Sequence, residues 1–316
     1  MDSETTVKLP VIDFNSLDLE CKNPNKWDEV KSQVIKALQE YGCFEALFDK
    51  VPLDLRKSLL VLLKETFDLP LDTKQRNVYE NPFYGYIGKG PRSPLYESIG
   101  IDDALVLEKV ESLENNLWPQ GYPTFSKVMN AFSEQVSELD QMVRKMVLES
   151  LGVEKYLNEH MNSSTYMLRV MKYSAPQTED AKLGVIQHTD AGITTILYQI
   201  NEVEGLEIET KDGKWITYHP LPHSFVVFVG DCLHAWTNGR LYNAFHKVMI
   251  RGNEARYSAA LFARPKEGYI IKAPEELVDE EHPLLFKPFD FVEFVNYFHT
   301  EEAQKHRIPL KAYCGV

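Results

Sequence analysis

Apolar positions recur at spacings of three and four through the first half of the chain. In "WDEVKSQVIKALQEYG", Val30, Val34, Ala37, Leu38 and Tyr41 fall on one helical face, and Gly42 stands where a C-terminal cap belongs. "LDLRKSLLVLLKETFDLP" predicts a second amphipathic helix that ends near Pro70. "FSKVMNAFSEQVSELDQMVRKMVLESLG" predicts a third, longer one, with Val128, Met129, Phe132, Val136, Leu139, Met142, Val143 and Met146 on its apolar stripe and Gly152 after it. Between the second and third lies "YENPFYGYIGKGPRSPLYESIG", rich in Gly, Pro and Tyr, which reads as a loop or irregular ribbon of the kind that lines ligand sites.

From about Tyr166 the period changes to two. Short β-rich runs follow one another: "YMLRVMKY", "GITTILYQ", "GLEIET", "KWITYH", "SFVVFVG", "HKVMI" and "RYSAALFA". Turn signals such as Asp212-Gly213, Gly230-Asp231 and Asn238-Gly239 separate them. Many short strands at regular spacing indicate a sandwich or barrel. "FDFVEFVNYFHTEEAQKH" returns to a helical pattern, and "LPVIDF" near the start is strand-like. The expected class is α+β: one unit, with an N-terminal helical layer packed on an antiparallel β double sheet.

A chain of 316 residues is long enough to bury a substantial core. Its formal charge of −13 gives no electrostatic footprint for nucleic acid or anionic lipid and is compatible with neutral or cationic small partners. No apolar run approaches the ~20 residues needed to span a bilayer. "MDSETTVKLPVIDF" lacks a basic and then apolar leader. Cys21, Cys43, Cys232 and Cys314 are too dispersed for a disulfide framework or a zinc cluster. These features together predict a cytoplasmic protein with reduced thiols, acting on a small molecule, not on nucleic acid or membrane, and monomeric.

The candidate chemistry is concentrated in the β-rich half. Of the nine histidines, His219 and His223 have a metal-like spacing, but the two prolines of "HPLPH" forbid the helix that would make use of it. His160, His282, His299 and His306 stand in polar contexts expected to be exposed, and His234 alone is a weak signal. His188 and Asp190 differ. As positions i and i+2 of a strand they would share a face and could hold one ion. His246 opens a later β-rich run. In "RYSAALFA", Arg256 and Ser258 also share a face inside an otherwise apolar strand, which makes a small carboxylate receptor: a guanidinium with two parallel N–H donors and a hydroxyl beside it. Two histidines and one carboxylate with open positions form the facial triad of non-haem iron(II) oxygenases.

These residues resemble the plant 2-oxoglutarate/Fe(II)-dependent dioxygenases. The likeness runs through "LPVIDF", "YGCFEA", the "HTD…TILYQ…GLEI" block, "VVFVGDCLHAWTNGRL", "HKVM" and "RYSAALF". The resemblance implies a double-stranded β-helix, or jelly roll, flanked by helices. A mainly helical region (1–160) would contribute to the substrate pocket, and the catalytic jelly roll would follow with a C-terminal helix (161–316). It implies Fe(II) held by His188, Asp190 and His246, with 2-oxoglutarate held at its far carboxylate by Arg256, Ser258 and Tyr173. The cofactors would be Fe(II), 2-oxoglutarate and O2, with ascorbate as assay reductant. One departure stands out: where many members have Asn-x-Tyr-Pro, this chain has Met171-Lys172-Tyr173-Ser174, so a hydrogen bond usually given by the asparagine is missing.

"TKQRN", "PFYGYIG", "LYESIGIDDA" and "PEELVDEEHP" look similar to the AOP-like branch, which includes glucosinolate side-chain oxygenases and nightshade hydroxylases of steroidal glycoalkaloids. The expectation is hydroxylation of a large hydrophobic metabolite, first a steroidal glycoalkaloid. The alternatives are a glucosinolate side chain or other metabolite, desaturation or ring formation, and a catalytically silent jelly-roll binding protein. A carboxylate at Asp190 occupies the position that a halogenase leaves for chloride, so oxygenation is expected. Candidate substrate contacts are Phe83, Tyr84, Tyr86, Tyr96, Arg169 and Phe262.

Overall fold

The computed structural model describes residues 8–78, 84–91, 93–176 and 180–316. The helical periodicities of the first half form α1 (Pro24–Glu40), α2 (Leu53–Asp68), α3 (Leu71–Lys74), α4 (Leu107–Leu117), α5 (Pro123–Ser150) and α6 (Leu157–Asn162). The Asn23 side chain caps α1 by accepting from the Lys26 amide. Gly42 follows α1 at φ +71°, a conformation that favours glycine. Helix α5 buries Phe125, Met129, Phe132, Val136, Leu139, Met142, Val143 and Met146, and at ~1.5 Å per residue its 28 residues span about 42 Å. Later helices are short: α7 (Asp231–Trp236), α8 (Phe291–Phe298) and α9 (Pro309–Cys314).

Two sheets carry the site. The early strands are β1 (Val11–Asp13), β2 (Cys43–Leu47), β3 (Tyr86–Ile87), β4 (Tyr96–Ile101), β5 (Ser164–Tyr173), β6 (Lys182–His188) and β7 (Thr194–Gln199). The later ones are β8 (Leu206–Glu209), β9 (Trp215–Thr217), β10 (Ser224–Val229), β11 (His246–Ile250), β12 (Arg256–Pro265), β13 (Ile270–Ile271) and β14 (Phe289–Asp290). The larger sheet has the order β1-β2-β10-β7-β12-β5-β4-β3, and the smaller one β6-β11-β8-β9. Apart from the parallel β1–β2 pair, the ladders are antiparallel. This is a jelly roll with helices packed outside it.

The period of two sorts the large sheet into two faces. Leu168 and Val170 on β5, Ile196 and Tyr198 on β7, Phe225 and Val227 on β10, and Tyr257, Ala259 and Leu261 on β12 join the main core, to which α5 contributes. The alternate positions turn toward the smaller sheet, and the cavity lies on that side. Both faces are covered, so β10 is buried at every position, as its unbroken apolar run predicts.

Three expectations are corrected. The first half is not only a helical layer: β1, β2, β3 and β4 extend both edges of the large sheet. The segment read as an irregular ribbon contains β4, which pairs with β5 along its whole length. His160 is buried: its ring lies against Trp236, and its Nδ1 accepts from Arg144 Nε at 3.2 Å.

Candidate iron and co-substrate site

His188 and His246 face one another as register partners of β6 and β11, with ring centroids 4.3 Å apart. Asp190 does not continue β6. The strand stops at His188, and the chain turns back so that Asp190 Oδ1 lies 3.8 Å from Nε2 of each histidine. The turn is held by the start of α7, where the Asp231 amide donates to the Asp190 carbonyl at 2.7 Å and the Cys232 amide to the Gly192 carbonyl at 2.9 Å. Gly230 makes this crossing possible, since a Cβ there would sit 2.2 Å from the Gly192 carbonyl oxygen. The convergence of His188 and Asp190 thus comes from a pinned turn and not from strand alternation.

Each of the three residues has one atom to offer. His188 Nδ1 faces the Ile186 carbonyl at 2.8 Å, and His246 Nδ1 faces the Ala244 carbonyl at 3.3 Å. With those N–H groups donating to carbonyls, both Nε2 lone pairs are directed to the same point. Asp190 Oδ2 accepts from Thr195 Oγ at 2.6 Å, which leaves Oδ1 to the histidines. One ligand atom from each residue falls within 4.8 Å of the others, the spacing a single ion needs. Phe228 stacks on the His246 ring at 4.6 Å. Burial, with His188 alongside, holds His246 well below its ordinary value, so its ring is neutral at physiological pH.

Arg256 is buried on the cavity side of β12. Its Nη1 donates to Ser258 Oγ at 3.1 Å and its Nη2 to Gln199 Oε1 at 3.3 Å. Its guanidinium lies 5.1 Å from the Tyr173 ring centroid, and Tyr173 is its register partner on β5. No carboxylate pairs with Arg256 among the described residues, and its Nε and the Gln199 Nε2 are buried without a partner. A buried cation with spare donors is costly unless an anion arrives. A dicarboxylate whose other end chelates the nearby metal meets that need. Met171, where an asparagine is more usual, turns its sulfur to the Tyr173 hydroxyl at 3.8 Å and the Ser258 hydroxyl at 4.0 Å. Burial raises the Tyr173 hydroxyl far above its ordinary range, so it stays a neutral donor.

Comparison with known proteins agrees with this geometry. Residues 164–265 match the 2OG-Fe(II) oxygenase superfamily, and residues 9–121 match the "non-haem dioxygenase in morphine synthesis N-terminal" family. A relative from Arabidopsis thaliana, named a probable 2-oxoglutarate-dependent dioxygenase AOP1.2, is 48% identical over 326 residues, covering all of both chains. The chain belongs to the 2OG-Fe(II) oxygenase superfamily.

The oxygenase is also 36% identical to the Arabidopsis 2-oxoglutarate-dependent dioxygenase AOP3, over 98% of each chain. Among solved structures it resembles the rice dioxygenase for auxin oxidation, with a TM-score of 0.81 and 29% identity over 98% of this chain and 100% of that one. The Arabidopsis enzyme of the same name, in its 2-oxoglutarate complex, gives a TM-score of 0.79 at 27% identity over 87% of this chain and 100% of that one. The oxygenase is therefore a 2-oxoglutarate-dependent dioxygenase, and its cofactors are Fe(II) and 2-oxoglutarate.

A cavity of about 1340 Å³ joins the triad to Arg256 and opens outward. Tyr84, Tyr96, Arg169 and Phe262 line it. Tyr86 is not among the lining residues; its hydroxyl goes to Glu97 Oε2 at 3.1 Å, beside Lys74. Phe83 lies outside the described residues. Sequence reasoning missed Thr195, Gln199 and Phe228. For the first two a signal existed: positions 195, 197 and 199 share the inner face of β7, and two of them are polar in an apolar strand. It also missed the end of the chain, where Phe291, Val295, Phe298 and Arg307 wall the mouth.

Proposed function

We propose that this dioxygenase oxidises a C–H bond of an apolar plant specialised metabolite, with His188, Asp190 and His246 as its iron ligands and Arg256, Ser258 and Tyr173 as the receptor for the far carboxylate of 2-oxoglutarate. The observation that carries this reading is the convergence of three singly available ligand atoms beside a buried arginine with no carboxylate partner among the described residues. When bound, Fe(II) and 2-oxoglutarate with O2 supply an oxidant strong enough to take a hydrogen atom from carbon and return a hydroxyl, with succinate and CO2 released.

The chain's own residues set the geometry. Thr195 fixes which oxygen Asp190 presents, and the Ile186 and Ala244 carbonyls fix the tautomers of the two histidines. Arg256, with Ser258 and Tyr173 beside it, would hold the far carboxylate of 2-oxoglutarate and so orient its reacting end. Phe228, Leu206, Val185 and Val248 form an apolar wall that keeps water from the reacting centre.

The cavity is larger than the roughly 300–1,000 Å³ usual for one small ligand, which supports a bulky second substrate beside 2-oxoglutarate. Relatives of the AOP type span the whole chain, which supports the AOP-like branch and, within it, a glucosinolate-type side chain over the steroidal glycoalkaloid expected first. Desaturation or ring closure uses the same residues, and product mass separates them: hydroxylation adds one oxygen, while desaturation removes two hydrogens. The test of the reading is O2-dependent succinate release from 2-oxoglutarate. It is expected in the wild type and lost in Asp190→Ala; turnover that persists in Asp190→Ala overturns the assignment of the triad.

A further inference from the structure

The three candidate ligands arrive on two arms of the chain, and the β6–β11 ladder joins those arms weakly at the metal. His188 is the last residue of β6 and His246 the first of β11, and the two pair as register partners. Further along the ladder the register slips: Val248 is opposite Val185, so two residues of β11 face three of β6. Past His188 the ladder ends. β11 is also paired with β8, through His246 and Ile208, whereas β6 is the edge strand of the small sheet. The arm that brings His188 and Asp190 therefore leaves an edge strand with a bulge beside its last rung, and backbone pairing holds such an end loosely.

A buried carboxyl group spans the two arms where the ladder stops. Asp231 Oδ2 accepts from Thr189 Oγ1 at 3.3 Å, and its Oδ1 accepts from Asn243 Nδ2 at 2.6 Å. Thr189 stands between His188 and Asp190, and Asn243 lies on the segment that leads into His246. All three side chains that make this bridge are buried.

Asp231 is itself fixed. Its amide donates to the Asp190 carbonyl at 2.7 Å, and the amides of its neighbours Gly230 and Cys232 donate to the Ile193 and Gly192 carbonyls at 2.9 Å each. The strand that delivers it, β10, is buried between β2 and β7 in the large sheet. Asp231 is not among the described residues that line the cavity. Its carboxyl group thus acts from behind the site: a rigid mount on the large sheet, with one hydrogen bond to each ligand-bearing arm.

We propose that Asp231 is a positioning residue for the iron site, whose carboxyl group sets the separation between the His188–Asp190 arm and the His246 arm so that the three ligand atoms converge before a metal binds. The proposal rests on the dioxygenase reading above. Ligands held in place beforehand need not be ordered when the metal binds, so the effect is read first in metal affinity and in the geometry around the metal.

The test is Co(II) titration of the metal-free protein, followed by its visible spectrum, with thermal melts on the same samples. Asp231→Ala removes both hydrogen bonds, and Co(II) affinity should fall about tenfold or more, with the d–d bands altered from those of the wild type. Asp231→Asn should recover most of that loss, because its oxygen can still accept from Thr189 and its amide can donate to Asn243 once the Asn243 amide is turned over. Thr189→Val and Asn243→Ala each remove one bond, and each should give part of the loss. Wild-type affinity and spectrum in Asp231→Ala overturn the proposal, even if its melt is lowered, since that result leaves Asp231 a purely structural role. Binding as weak in Asp231→Asn as in Asp231→Ala, with native melts, overturns the bridge. If Asp231→Ala fails to fold, the two single-bond variants decide, and wild-type affinity in both overturns the proposal. Failure of the wild type to bind Co(II) overturns the triad and the dioxygenase reading with it; wild-type binding that these variants leave unchanged overturns the role of Asp231 alone.

Discussion

Thr195 and Arg256 show how single side chains prepare the site. Thr195 takes one oxygen of Asp190 and leaves the other for a metal. Thr195→Val removes that hydrogen bond at nearly constant volume, and metal affinity is expected to fall about 10–100-fold, measured by Co(II) titration of the apoprotein. Arg256 is buried among Ser258, Gln199 and Tyr173 with donors to spare. Arg256→Ala should raise the 2-oxoglutarate concentration for half-maximal succinate release by about 10–100-fold, in line with the ~1.5–3 kcal/mol of a charged hydrogen bond. If only the KM of the second substrate moved, Arg256 would be wrongly placed. At this scale the sequence was informative where residue types are costly in context: an arginine in an apolar strand, or two histidines and an aspartate near β-branched runs. For Thr195 and Gln199 it held only a faint signal, two polar positions on one face of β7, whose meaning depends on which residues of the opposite sheet they meet.

Among the elements, α5 ties the helical layer to the sheet through a buried polar network. Arg144 donates to His160 Nδ1 and to Ser164 Oγ, and Asp140 accepts from Arg144 and from the Tyr166 hydroxyl. Burial, reinforced by the adjacent Arg144 charge, holds His160 well below its ordinary value near 6.5. A histidine with a depressed folded pKa stabilises the fold fully above its unfolded pKa, and that stability is lost as pH falls below it. Thermal midpoints should therefore drop as pH is lowered from about 7 to 5, and His160→Gln should flatten that slope while lowering the midpoint at pH 7. An unchanged slope in the variant would remove His160 from the account. The long period-two runs and the three amphipathic helices were legible as elements. Of the short early strands, β1 was legible in "LPVIDF", but β2, β3 and β4 were not, since they carry little pattern of their own and are stabilised by pairing into the large sheet. The turn at Asp190 was also hidden, because a helix start forty residues later in the chain shapes it.

At the scale of the whole molecule the chain carries a formal charge of −13, whereas Asp190 is the one carboxylate among the described residues that line the cavity. No helix among the described residues is long and apolar enough to cross a membrane. Residues of the C-terminal segment line the cavity, and Arg307 ties that segment to β8 through both carboxylate oxygens of Glu209. Arg307→Ala is expected to raise the KM of the second substrate several-fold with little change in that of 2-oxoglutarate; equal changes in both would place Arg307 outside the substrate path.

The central claim, one iron held by His188, Asp190 and His246 with 2-oxoglutarate reaching Arg256, is tested most directly by the anaerobic visible spectrum. Addition of Fe(II) and 2-oxoglutarate to the wild type should produce a weak charge-transfer band. The band should be absent in Asp190→Ala and His246→Ala and should require higher 2-oxoglutarate in Arg256→Ala. No band in the wild type, or an undiminished band in either ligand variant, would contradict the account.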